Sequence, residues 1–168
     1  MEINNYLSNF FTNYLGNLVP SISTIKLLSS MIKKYIPNPK LMYHLYSNQC
    51  YIDFVLLENG IQEIICIEPD FDFVRLSIET RKYIKTPNKD LLTIYNLDPL
   101  SNEINYSNAD IIFISYQTDL TNILTKINNE CKLNTLLIIE SYSKPFIQLK
   151  HLSTINITSN ISIHIYKL

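Results

Sequence analysis

An α/β fold, a mostly parallel sheet with helices on both faces, is predicted by three observations. From residue 41 onward, short apolar runs alternate with stretches of helical spacing, and such alternation builds parallel strands joined by right-handed crossovers. At least one run, Ile64–Ile67, is apolar almost throughout, as expected of a strand covered on both faces. The chain then closes with two runs around Thr158-Ser159-Asn160, which read as an antiparallel hairpin.

The elements follow in order. Ile3, Tyr6, Leu7, Phe10, Phe11, Tyr14 and Leu15 recur at helical spacing and form an amphipathic stripe, stopped at Leu15-Gly16-Asn17. A second helix follows Pro20, with Ser21 as its cap and Ile25, Leu28, Ile32 and Tyr35 on one face. Pro37 and Pro39 end it. These two helices make an N-terminal extension over residues 1–36, ahead of an α/β domain at 37–168.

Leu41–Tyr46 is the first strand, and Gln49–Glu58 is a short helix closed by Asn59-Gly60. Ile64–Ile67 is a strand ended at Pro69. Phe71–Ile84 is a helix, with Phe71, Val74, Ile78 and the aliphatic carbons of Arg81 turned inward. Leu91–Tyr95 is the next strand, and residues 97–109 are polar and turn-rich. Asp110–Ser115, a helix over Leu120–Cys131 and the strand Thr135–Glu140 complete the alternation. Ser153–Ile157 and Ile161–Tyr166 form the hairpin.

Composition narrows the function. At 168 residues the chain fits one domain, which needs no disulfide or metal to fold. A formal net charge of -1 gives no footprint for general nucleic-acid binding, which needs clustered positive charge. Cys50, Cys66 and Cys131 are odd in number and form no CxxC pair, which argues against a zinc site and suits a reducing, intracellular compartment. Cys66 reads as a small core residue. No apolar run is long enough to span a membrane, and MEINNYLSNFF is a poor signal or transit peptide. The abundance of Ile, Asn, Tyr and Lys, with Ala109 the only alanine, reads as the drift of an AT-rich genome.

The first strand should feed a glycine-rich turn, so that backbone N–H groups can approach a ligand closely. Here the turn is Tyr46-Ser47-Asn48-Gln49, and the two glycines of the chain, Gly16 and Gly60, lie elsewhere. The scaffold is that of a cofactor-binding fold, while the site reads as eroded or rebuilt.

The layout resembles the class I, Rossmann-like, S-adenosylmethionine-dependent methyltransferases over about residues 18–168. Leu18-Val19-Pro20-Ser21 is similar to the lead-in of protein-lysine methyltransferases of the Dot1-like and ATP-synthase-c-subunit types. Ile67-Glu68-Pro69 ends a strand with an acid, and Ala109-Asp110-Ile111-Ile112-Phe113-Ile114-Ser115 looks like the family's fourth strand. Ser143-Lys144-Pro145-Phe146 and the closing ISIHIYKL are similar to the later segments and last strand of those enzymes. The family's acidic-x-Gly-x-Gly loop would fall at His44–Cys50, which matches neither its acid nor its glycines.

The resemblance implies roles at several positions. Glu68 would accept the ribose hydroxyls of S-adenosylmethionine, with Ser47 and Asn48 in the loop position. Asn96 and Asp98 follow the third strand, where the family places an acid against the adenine amino group; turn chemistry at Asp98-Pro99 is the bland alternative. Ser115 and Tyr116, with Gln117, end the fourth strand, where substrate contacts belong. Catalytic residues stay unassigned. Read from the sequence alone, His44, His151 and His164 have no metal spacing, no Ser/His/Asp order stands out, and His44 and His164 read as structural. Asp70 and Asp72 read as caps of the following helix.

Two functions are compatible with these residues. One is a non-catalytic scaffold or subunit with a degraded cofactor site, favoured by the missing glycines and needing a protein partner or a second copy. The other is an active methyltransferase acting on a protein side chain. S-adenosylmethionine is thus a candidate cofactor, with none expected under the first reading, and no metal is expected under either.

Overall fold

The structure, a computed structural model, describes residues 20–83, 88–115, 119–145 and 147–168. The expected helix at residues 3–15, Leu18, Val19, Tyr116, Gln117 and Phe146 lie outside the described residues.

Helix α1 (Ile22–Tyr35) begins at Ser21, whose hydroxyl accepts the Thr24 N–H at 3.2 Å. Its apolar stripe buries Ile25, Leu28 and Ile32 completely, and each is worth about 1.5–3 kcal/mol of burial. The helix therefore belongs to the core of the domain it precedes.

The sheet runs through β1 (Leu41–Leu45), β2 (Glu63–Ile67), β3 (Leu92–Tyr95), β4 (Ile111–Ile114), β5 (Leu136–Ser141), β6 (Lys150–Asn156) and β7 (Ser162–Lys167). Its spatial order is β3-β2-β1-β4-β5-β7-β6. The first five strands in that order pair in parallel, and β7 pairs antiparallel with both β5 and β6. The alternation and the closing hairpin thus take the predicted form. The order reverses between β1 and β4, the switch point at which open α/β sheets bind ligands beyond the carboxyl ends of their strands.

Helices α2 (Tyr51–Glu58), α3 (Phe71–Tyr83) and α4 (Thr121–Glu130) complete the layers. One apolar cluster joins α1 and α2 to Met42, Ile64, Ile111, Phe113 and Ile138 on one face of the sheet. The other joins Ile123 and Ile127 of α4 to Leu45, Ile67, Ile112 and Ile139 on the opposite face. Asp110 pins the amino ends of the strands. Its carboxylate accepts the Lys40 and Leu41 N–H groups and the Lys132 ammonium. Burial alone would raise its pKa, but these donors hold it below the ordinary value.

One expected face is corrected. Phe71 and Ile78 are exposed, at 66% and 45%, while Val74, Ser77 and Thr80 of α3 turn inward. The apolar residues misled because the inner face of this helix carries hydroxyls, and one of them serves the neighbouring turn. The Ser77 hydroxyl donates to the Asn48 carbonyl at 3.0 Å.

Candidate functional site

The carboxyl edge at the switch point is built by the turn after β1. Tyr46, Asn48 and Cys50 alternate along this turn. All three are left-handed, with φ of 54°, 51° and 52°. For a non-glycine residue this conformation costs roughly 1–2 kcal/mol, less for Asn, so the surrounding structure must hold it. The turn has no glycine, yet three of its residues take the left-handed backbone that glycine adopts most readily.

Glu68 is what holds it. The side chain is only 4% exposed. One carboxylate oxygen accepts the Asn48 N–H at 2.8 Å and the other accepts the Asp70 N–H at 2.9 Å. Burial raises the Glu68 pKa, and these two backbone donors oppose the rise. Asn96 donates to the carbonyls of Glu68 and Pro69, both at 2.9 Å, and so braces the same corner. Asp98 accepts the Leu100 N–H at 2.8 Å, which is turn chemistry. Asp70 caps α3 through the Asp72 N–H at 2.8 Å, as expected.

The loop residues differ in access. Ser47 is buried and accepts the Cys50 thiol at 3.6 Å, whereas Asn48 is exposed and donates through its amide to the Tyr46 carbonyl. The Tyr46 ring is half-buried against the α4-side cluster. Gln49 is buried, and its Oε1 has no hydrogen-bond partner among the described residues.

Beneath the loop lies a polar cluster that sequence reasoning missed. His44 Nδ1 meets the two Asp53 oxygens at 2.8 and 2.9 Å, and His44 Nε2 meets Ser115 Oγ at 2.8 Å. The three residues are 1%, 0% and 4% exposed. Thus His44, Asp53 and Ser115 come together in space, which corrects the expectation that no such order stands out. The imidazole stacks on Phe113, with ring centres 4.5 Å apart. Glu140 also lies near the cluster, and burial raises its pKa against the opposing influence of His44 and Ser115. Cys66 pairs with His44 across the β1–β2 ladder and lies near Cys50 and Asp53. Burial first, then these neighbours, push its thiol pKa well up, so it stays protonated. The signal that could have found the cluster is weak. His44 and Cys66 lie on strands, Ser115 directly follows one in the same inward phase, and Asp53 sits in the first turn of a mostly apolar helix.

His164, also expected to be structural, accepts or donates one hydrogen bond to Thr154 at 3.1 Å, and burial, His151 and Lys144 lower its pKa. One described cavity, of about 680 Å³, lies at the opposite edge of the sheet, lined by Lys40, Leu41, Gly60 and Gln62 among others.

No protein-family model and no curated protein matches the sequence. Solved structures do match the fold. A methyltransferase from Geobacter sulfurreducens superposes with a TM-score of 0.71 at 15% identity, covering 100% of this chain and 90% of that one. An RNA methyltransferase from Salinibacter ruber, in complex with S-adenosyl-L-homocysteine, superposes with a TM-score of 0.67 at 13% identity, covering 84% of this chain and 90% of that one. Neither is described as a lysine-modifying enzyme, and the narrower likeness to Dot1-like enzymes gains no support from them. At this edge Glu68 ends β2, and its two oxygens accept the Asn48 and Asp70 N–H groups. What the likeness establishes is the fold: a seven-stranded, mostly parallel sheet closed by an antiparallel hairpin, the Rossmann-like fold of the class I S-adenosylmethionine-dependent methyltransferases.

Proposed function

We propose that this is a methyltransferase-like domain whose S-adenosylmethionine site is closed, and that it serves as a non-catalytic scaffold or subunit of a larger assembly. The observation that carries this reading is Glu68. The residue that would take the ribose hydroxyls is 4% exposed and spends one oxygen on Asn48 and the other on Asp70. A carboxylate oxygen can accept twice, but a ligand must first reach it. The missing glycines contribute less than the sequence alone suggests, since the turn reaches left-handed backbone without them. Partners under this reading are another protein or a second copy of the chain, in a reducing compartment that suits three free cysteines.

A second reading, an active methyltransferase acting on a protein side chain, is favoured by one specific feature. The left-handed backbone at Tyr46, Asn48 and Cys50, with the unpartnered Gln49 Oε1 beside it, is a strained arrangement of the kind that clusters at ligand sites.

Calorimetric titration of the purified chain with S-adenosylhomocysteine separates the two. The closed reading expects no heat of binding at millimolar ligand. Micromolar affinity that Glu68→Ala removes would restore the active reading.

A further inference from the structure

We propose that His44, Asp53 and Cys66, with Cys50 as fourth donor, form a closed structural site for a divalent transition metal, zinc above all. The proposal does not depend on whether the cofactor site is open. It rests on donor type, distance and burial. One nitrogen, one carboxylate oxygen and one sulfur, contributed by His44, Asp53 and Cys66, all lie within 4.8 Å of one another. All three residues are 0–1% exposed. Nitrogen, thiolate sulfur and carboxylate oxygen are the donors zinc takes, and structural zinc sites use four of them in a tetrahedron without an open position. Cys50 is the fourth donor of the proposal: it is fully buried, it interacts electrostatically with Cys66, and its thiol is otherwise held by a weak 3.6 Å bond to Ser47. Its sulfur lies outside the 4.8 Å group, so it must turn inward to bind.

The local fold explains why these donors converge. His44 and Cys66 are register partners on β1 and β2 and point to the same face. Cys50 is the left-handed residue before α2, and Asp53 sits in the first turn of that helix. Sequence spacing hides the set because it runs His-x5-Cys-x2-Asp-x12-Cys over two strands and a helix start, with no CxxC pair.

Without a metal, the cluster is expensive. Asp53 is completely buried beside the larger apolar cluster of the protein, and the hydrogen-bond partner of both its carboxylate oxygens is one ring nitrogen, His44 Nδ1. A carboxylate offers about four acceptor positions, so its solvation is only partly replaced. A dication between Asp53, Cys50 and Cys66 replaces that solvation directly. The outer shell is already in place. When a metal takes His44 Nδ1, the ring proton resides on Nε2, where Ser115 Oγ accepts it at 2.8 Å. That is how metal-bound imidazoles are usually oriented. Two thiol protons leave to water as two metal–sulfur bonds form. The start of α2 also faces the site, and its partial positive charge eases the excess of thiolate and carboxylate.

Burial on this scale means the ion enters as the chain folds and leaves slowly. The test therefore uses the full chain in two forms. Protein purified from zinc-supplemented cells is passed through gel filtration with EDTA, and its metal content is measured. The same protein is then unfolded in chelator and refolded with Co²⁺, and its absorption spectrum is recorded. The proposal expects about one zinc per chain to survive the chelator. It also expects a tetrahedral cobalt spectrum with an intense thiolate-to-cobalt band. That band should weaken in Cys50→Ser and be lost or displaced in Cys66→Ser, while Cys131→Ser, outside the cluster, keeps it. The wild-type measurements decide the matter even where a variant fails to fold. Wild-type protein with no stoichiometric metal and no thiolate–cobalt band overturns the proposal, and the cluster is then a hydrogen-bonded polar network alone. A cobalt band unchanged in Cys66→Ser overturns it equally.

Discussion

The carboxylate of Glu68, at the end of β2, accepts the backbone N–H of Asn48, twenty residues earlier, at 2.8 Å. The acid proposed for the cofactor's ribose fastens the turn beside it. This contact links strand ending, loop shape and closed site, and it can be broken one atom at a time.

Glu68→Gln turns one acceptor oxygen into a donor that faces a backbone N–H. Whichever way the amide lies, one of the Asn48 and Asp70 N–H groups loses its partner. The expected cost is about 1–3 kcal/mol, read as a lower urea midpoint at unchanged slope. A variant as stable as the parent would show that these bonds do not hold the loop.

Asn48 tests the loop conformation separately, because its side chain is exposed and its φ is 51°. Asn48→Ala should cost roughly 1 kcal/mol, since alanine resists the left-handed region more than asparagine does. Asn48→Gly should be close to neutral, with relieved strain offsetting the greater freedom of the unfolded chain. Equal stabilities for the two variants would mean the turn is not left-handed there.

The His44–Asp53 pair is fully buried, so removing one partner strands the other. In metal-free protein, His44→Ala should cost about 3–5 kcal/mol by chemical denaturation. A cost below that of an ordinary core truncation would show that the buried carboxylate finds other solvation.

His164 gives a pH signature. Its folded pKa lies below the ordinary 6.5, first because it is buried, then because of His151 and Lys144. The unfolded chain therefore binds the proton more readily. The contribution to stability is complete above 6.5 and is lost as pH falls from there toward the folded value. Relative to His164→Gln, wild-type stability should drop across that window. Parallel pH profiles for the two proteins would contradict the burial of this ring.

Much of this molecule was legible in the chain. Ile64–Ile67 and Ile111–Ile114 are apolar enough that only strands covered on both faces accommodate them, and Thr158-Ser159-Asn160 marks the hairpin by turn chemistry. Ser21 and the stripe Ile25, Leu28 and Ile32 gave helix, cap and buried face together. The face of α3 was not legible, because Ser77 and Thr80 look like surface residues until Ser77 is seen holding Asn48. Glu68 stands out as a candidate from its place at a strand end, but its two backbone bonds depend on a left-handed turn that Tyr46 and Asn48 do not announce. The His44, Asp53, Cys66 and Ser115 cluster was hidden for a topological reason. Its members lie on β1, α2, β2 and the end of β4, and only strand order brings them together.

The closed site is tested most directly by amide-resolved hydrogen exchange at Asn48 and Asp70, with and without millimolar S-adenosylhomocysteine. With Glu68 holding both N–H groups, the two amides should be protected in the free protein, and the nucleoside should leave their exchange unchanged. Rapid exchange of both amides in the free protein, slowed by the ligand, would contradict the account and show an open site that a cofactor closes.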